Sequence, residues 1–219
     1  VYSEISYRKV RQHMISRLKK HLPENLFYHG VHHTIDVINA AERIASGEGV
    51  EKAEKMLIKV AALFHDCGFL SVYSNNEPEG VRLAKEILAE HGFNKKQMRK
   101  VEGMILATTV PQQPKNIMEE ILCDADLDYL GRSKEEFYEI SNSLMSELLD
   151  HGILKSEDEW DPIQIKFLTE HRYFTQTAVK KRRANKVLRL EEIIAKVAAR
   201  ESPKLTATDE GMADKSKNK

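Results

Sequence analysis

Apolar residues recur at helical spacing along almost the whole chain. Val10, Met14, Leu18 and Leu22 repeat every four residues, with Ile5 and Ile15 beside them. This predicts an amphipathic helix over 4–22, broken by Pro23 and Asn25. A second helix is expected from near Gly30 to about Ser46. Val31, Ile35, Ile38, Ala41 and Ala45 share one face of it, and Gly47 and Gly49 end it. Residues 51–66 read differently, because 56–64 are apolar nearly all round. A helix without a polar face belongs at the centre of a domain. Its C-terminal end would carry His65 and Asp66, with the chain turning at Gly68. Residues 70–76 read as a loop. Further helices are expected over 77–91, 94–107, 114–123, 133–150, 160–173 and 175–200. His91-Gly92 and His151-Gly152 look like helix stops, since glycine readily takes the left-handed residue past a helix end. No stretch alternates as a strand does. The expected fold is all-α, a compact bundle of about eight to ten helices in one domain over 1–200. Residues 201–219 are poor in apolar groups and are expected as a disordered tail.

Composition narrows this picture. The chain has 219 residues with 34 basic and 34 acidic side chains, a length that suits one domain with a full-sized core. Zero formal net charge gives no general attraction for nucleic acid or an anionic membrane, so any grip on phosphate must be local. No apolar run approaches the roughly 20 residues that span a bilayer. No signal peptide is visible, and a cytoplasmic location is expected. Cys67 and Cys123 are too few for a disulfide framework and lack zinc-ribbon spacing. Both are expected as reduced, buried, small hydrophobes. The first residue is Val, which leaves room for a fused regulatory domain in a longer protein. Composition does not fix the oligomeric state.

Candidate chemistry changes the picture most. Three separate helical segments each place a metal-binding side chain in an apolar setting. They are His33, the adjacent pair in Leu63-Phe64-His65-Asp66-Cys67-Gly68-Phe69, and Asp126 in Cys123-Asp124-Ala125-Asp126-Leu127-Asp128. An ionised Asp beside Leu63, Phe64 and Phe69 is costly unless something compensates it. A divalent cation held by two imidazoles and two carboxylates would do so and leave positions for water. That arrangement suits metal-assisted hydrolysis. The negative end of the helix before His65 also favours a cation.

The order His, then His-Asp, then Asp is the signature of the HD-domain superfamily of metal-dependent phosphohydrolases, and residues 26–130 resemble that family. Tyr28-His29-Gly30-Val31-His32-His33-Thr34-Ile35-Asp36-Val37 is similar to the Tyr-His-x-x-x-His-x-x-Asp-Val stretch of class I cyclic-nucleotide phosphodiesterases. The resemblance implies His33, His65, Asp66 and Asp126 as metal ligands and His29 as proton donor to the leaving oxygen. His29 and His33 are expected on one helical face. Among the crowded carboxylates the family pattern selects Asp126, after Ala125 and before Leu127. Asp124 is left as a capping or supporting group, or as the alternative ligand, and Asp128 as facing away. A second, weaker ion would rest mainly on Asp66. Mn²⁺, Mg²⁺, Zn²⁺, Fe²⁺ and Co²⁺ all suit such ligands.

Many members carry a Glu soon after the His-Asp pair. Here Glu77 or Glu79 would have to return from a loop to act in catalysis, or else sit in the first turn of a helix capped by Asn75 or Asn76. Gln164, in Gln164-Ile165-Lys166-Phe167-Leu168, is read as a helix-surface side chain, with base recognition as the minor alternative. His91 is read as surface, and Lys180-Lys181-Arg182-Arg183 as a solvated helix face. His171, Arg172 and Tyr173 are open between phosphate contact and packing. The implied activity is hydrolysis of a phosphodiester or nucleotide by metal-activated water. A small-molecule phosphate is the expected partner, and nucleic acid is not. Two other readings are a di-iron oxygenase of the same superfamily and a non-catalytic sensing module. The scarcity of histidines argues against the first, and the complete ligand set against the second.

Overall fold

The structure is a computed structural model and describes residues 4–201. It contains α1 (Glu4–His21), α2 (Val31–Gly47), α3 (Lys52–Phe64), α4 (Asn76–Glu90), α5 (Lys95–Ala107), α6 (Ile117–Asp126), α7 (Lys134–Asp150), α8 (Trp160–Glu170) and α9 (Gln176–Glu201). Short 3₁₀ turns lie at Cys67–Leu70, Asp128–Gly131 and Glu157–Glu159, and the described residues include no strand. The all-α expectation holds. Beyond Glu201, the expected tail lies outside the described residues. No helix among the described residues is long and apolar enough to cross a membrane.

The apolar segment becomes α3, and it does occupy the centre. It packs against α1, α2, α5 and α6, and all of its residues from Met56 onward are buried except Lys59. Lys59 escapes by stretching its ammonium to Glu42 at 3.0 Å, keeping its charge at the edge while its stem covers apolar surface. Because α2 and α6 both flank α3, residues at the ends of these three helices are brought together. A smaller apolar cluster of Tyr28, Leu127, Tyr129, Leu130, Phe137, Leu168 and Ile193 joins α7, α8 and α9 to that end of the molecule.

Several boundaries differ from the periodicity reading, each for a local reason. Helix α6 starts at Ile117, because the Asn116 side chain accepts from the backbone N–H groups of Met118 and Glu119. It therefore runs on to Asp126 instead of stopping at 123. Helix α8 ends at Glu170, not 173. There His171 turns extended, and the buried Lys186 ammonium caps the open carbonyls of Leu168 and His171. Gly30 is extended, so α2 begins only at Val31 and His29 precedes it. His29 and His33 are therefore not on one helical face. Gly92 and Gly152 do carry positive φ, 81° and 67°, as the helix stops require.

Two glycines permit close approaches. A Cβ on Gly68 would lie 1.9 Å from the Asn76 carbonyl oxygen, so only glycine lets the turn after Asp66 pass against the start of α4. A Cβ on Gly131 would meet the Arg182 carbonyl at 2.3 Å, so α9 can lie close over the Asp128–Gly131 turn. That docking is held by charge. Arg182 donates through Nε and Nη2 to the two Asp128 oxygens at 2.8 Å each. Arg132 adds a bond at 2.9 Å and Arg43 an ion pair at 2.8 Å. The expectation of a solvated face over 180–183 fails at Arg182, whose guanidinium is used to fasten α9.

Candidate metal centre

His33 lies in the first turn of α2, His65 closes α3, Asp66 follows it, and Asp126 ends α6. One ligand atom from each lies within 4.8 Å of all the others. His33 Nε2 is 3.2 Å from Asp126 Oδ1, 3.3 Å from Asp66 Oδ2 and 3.3 Å from His65 Nε2. His65 Nε2 is 3.0 Å from Asp66 Oδ2 and 3.4 Å from Asp126 Oδ1. All four residues named from the sequence as ligands thus meet at one point, and both imidazoles are buried.

The hydrogen bonding fits a cation at that point. His65 Nδ1 lies 2.8 Å from the Ala62 carbonyl, to which it donates, so in the neutral ring Nε2 carries a lone pair. That lone pair faces carboxylate oxygens and the other imidazole, a repulsive arrangement unless a proton or a metal ion intervenes. Asp66 Oδ2 is buried and makes no well-aligned hydrogen bond, although two ring nitrogens stand within 3.3 Å. His33 Nε2 does bond Asp126 Oδ1, and the remaining contacts crowd the same point. Without a metal, protons take its place. Burial pushes both imidazoles down, but the Asp66 and Asp126 carboxylates outweigh it and raise them. Burial likewise pushes Asp66 and Asp126 up, and the two imidazoles outweigh it and hold both below the usual carboxylate range.

His29 stands beside the four and is not one of the convergent set. Its ring stacks on Phe69 at 4.3 Å and meets Tyr28 edge-on at 4.6 Å. Its Nδ1 pairs with Glu147 Oε1. Glu147 comes from α7 and is fully buried. It also accepts from the backbone N–H of Tyr28 at 2.7 Å and of His29 at 3.0 Å, and from the Tyr73 hydroxyl at 3.1 Å. Burial would raise the Glu147 carboxyl, yet the His29 ring and these amides hold it below its ordinary range. The sequence reading missed Glu147. The available signal was a charge placed between Leu144 and Leu148, on the side of α7 that faces the cavity.

Glu77 lies in the first turn of α4 and borders the same cavity as His29, Asp66 and Asp126. Asn75 precedes that helix in the left-handed region, and no side-chain cap bond forms there. Gln164 is a correction. It is buried, not on the surface, and it borders the cavity, because α8 turns this side inward against α7. Trp160 Nε1 donates to Ser141 Oγ at 3.2 Å, and the Ser141 hydroxyl donates to Gln164 Oε1 at 2.6 Å.

Of the crowded carboxylates, Asp124 turns to α9. It accepts from the N–H groups of Phe174 and Thr175 and from the Thr175 hydroxyl, which itself caps α9 through the Ala178 N–H. Burial outweighs those bonds and pushes its carboxyl up to about 6. Asp128 does face away from the four convergent side chains, into the three arginines described above. Cys67 and Cys123 are free, buried thiols near the Gly80 and Ala107 carbonyls, and burial pushes both thiols up. His91 is half-buried, with Nδ1 at 2.8 Å from the Ile87 carbonyl. His171 and Tyr173 pack, and the Tyr173 hydroxyl donates to the Leu127 carbonyl. Arg172 is exposed and borders a neighbouring cleft.

Solved structures and a family model resemble this chain. A predicted HD superfamily hydrolase from an uncultured Thermotogales bacterium has a similar crystal structure. Its TM-score is 0.55 at 18% identity, covering 86% of this chain and 91% of that one. A Lactobacillus plantarum protein is similar with a TM-score of 0.58 at 15% identity, covering 91% of this chain and all of that one. At such identities the likeness is one of fold. No curated protein sequence matches the chain. The family model of the HD domain matches residues 30–130, the span that carries His33, His65, Asp66 and Asp126, and residues 30–130 are accordingly an HD domain.

Proposed function

We propose that the protein is a metal-dependent phosphohydrolase acting on a small-molecule phosphodiester or nucleotide. The observation that carries this reading is the convergence of two imidazole nitrogens and two carboxylate oxygens on one point, beside a cavity that His29 also borders. His33, His65, Asp66 and Asp126 would hold a divalent cation, whose ligand types suit Mn²⁺, Mg²⁺, Zn²⁺, Fe²⁺ or Co²⁺. When bound, such an ion supplies positive charge that polarises a phosphoryl oxygen and lowers the pKa of water. The chain's own groups do the rest. The Ala62 carbonyl fixes the His65 tautomer, leaving Nε2 as the ligand atom. Glu147 occupies His29 Nδ1, so Nε2 is the atom left to deliver a proton to a departing oxygen. Tyr73 and two backbone amides keep Glu147 in place. Glu77 borders the cavity, where it can accept or relay a proton.

The test is a turnover screen of chelated protein resupplied separately with each of the five ions. It should cover cyclic nucleotides, nucleoside phosphates and an aryl phosphodiester. Activity should return with at least one ion and be absent from Asp66→Ala. No turnover of any phosphoester with any ion would remove the proposal.

A further inference from the structure

The cavity beside the metal centre is lopsided in charge. Its volume is about 290 Å³, room for a phosphoryl group and one small organic group. Asp66, Glu77 and Asp126 border it on the metal side, and among the described residues no lysine or arginine borders it anywhere. The opposite wall is apolar, made by Phe137, Leu144, Leu148, Ile163, Phe167 and Leu168. Its polar groups are uncharged, and the chain of hydrogen bonds from Trp160 through Ser141 engages the indole N–H, the hydroxyl and the Gln164 amide oxygen. The cations nearby stand outside it: Arg172 borders a cleft that shares Val110, Leu127 and Phe167 with the cavity, and Arg183 and Lys186 border another that shares Leu168.

This distribution decides which phosphates fit. One divalent ion is already offset by the two carboxylates that hold it, and Glu77 adds further negative charge. A second phosphate or a carboxylate on the substrate would lie against the apolar wall without a cationic partner, or face Glu77. An uncharged ring or alkyl group there would gain by leaving water. We infer that the site selects a phosphoryl group whose organic part is uncharged and largely apolar and turns away substrates with additional phosphates or carboxylates. The inference rests on the phosphohydrolase reading for what occupies the metal side.

Phosphonates test it without turnover, since their C–P bond resists hydrolysis. Calorimetric titration of the metal-loaded protein should compare phenylphosphonate, methylphosphonate and 4-carboxyphenylphosphonate. Phenylphosphonate should bind tighter than each of the others by about tenfold or more. Ile163 is 44% exposed at the cavity's edge, so Ile163→Arg can be introduced at little structural cost. It should narrow or reverse the preference against the carboxylated ring. The inference is overturned if the carboxylated and plain rings bind alike, if the methyl compound matches the phenyl one, or if none binds. It is equally overturned if folded Ile163→Arg leaves the preference unchanged. The two readings fail separately. Absent hydrolysis with the binding order intact strikes the enzymatic reading alone, and turnover with the order lost strikes this one alone.

Discussion

Asp126 and Asp128 stand two residues apart, both at the join of α6 and the turn that follows, and both away from bulk water. Their partners differ in kind. Asp128 faces three guanidinium groups, from Arg43, Arg132 and Arg182. Those cations never lose their protons in a protein, so Asp128 is compensated permanently and from within the chain. Asp126 faces two imidazoles. Imidazoles release their protons near neutrality and then present lone pairs, so compensation at Asp126 must come from outside, as protons or as a cation. The first arrangement fastens a helix, and the second can bind something. Glu147 stands between the cases, with backbone amides as permanent donors and one titratable partner in His29.

Exchanging single residues should split the two regions sharply. The largest effect is expected at the imidazole centre. Asp66→Ala, His33→Ala and Asp126→Ala should each lose bound metal and all measurable turnover while keeping the helical fold. Asp128→Asn and Asp124→Ala should retain metal. Metal analysis after dialysis decides between them, and wild-type metal content in Asp126→Ala alongside loss in Asp124→Ala would mean that the ligand is Asp124. Next in size is His29→Ala. It should bind metal normally yet slow a substrate with a poor leaving group by roughly 10² to 10⁴. An aryl phosphodiester with a good leaving group should be slowed much less. Glu147→Gln, which keeps the shape but weakens the hold on His29, should show the same substrate dependence at smaller amplitude. Equal slowing of both substrates would make His29 a structural residue. At Asp128 the effect moves from chemistry to stability. Asp128→Ala strands the Arg43 and Arg182 guanidinium groups, while Arg132 keeps Asp36 at 2.7 Å, and it should cost about 3–5 kcal/mol in denaturant unfolding with little change in metal content.

The helices and the four convergent side chains were legible in the sequence because each leaves a local trace. Apolar period marks α1 to α3, and a charged pair at the end of an all-apolar helix marks His65 and Asp66. The Asp128 cluster left no comparable trace. Arg43, Arg132 and Arg182 are scattered over 140 positions, and each resembles an ordinary surface arginine until α9 docks. Gln164 was hidden for the same reason, since its burial depends on which face α8 turns to α7. His29 was identified by resemblance, but its placement was misread, because Gly30 delays the start of α2 and Glu147, 118 residues away, does the positioning.

The smallest predicted effect bears most directly on the contrast between the two carboxylates. In metal-free protein the His33 and His65 imidazoles are raised above their ordinary value of 6.5. A raised folded value stabilises below 6.5, and that contribution is lost as pH rises through it. Asp66 and Asp126 are depressed below 3.8, so their share is present above 3.8 and lost on further acidification. Stability of the chelated protein should therefore be greatest between about pH 4 and 6.5 and fall as pH rises above 6.5. Metal needs the imidazoles unprotonated, so the extra stability conferred by the ion should run the other way and grow with pH. Asp128 is also depressed, but its arginine partners do not titrate, so its contribution can fade only in acid, below 3.8. Thermal unfolding across pH 5–8 separates the two. His33→Ala should reduce the slope of the chelated profile and the double variant His33→Ala/His65→Ala should flatten it, whereas Asp128→Asn should lower the profile uniformly and leave its slope. A slope that survives in the double variant would mean that the protons are held elsewhere, and that the four side chains are not the exchangeable centre their geometry describes.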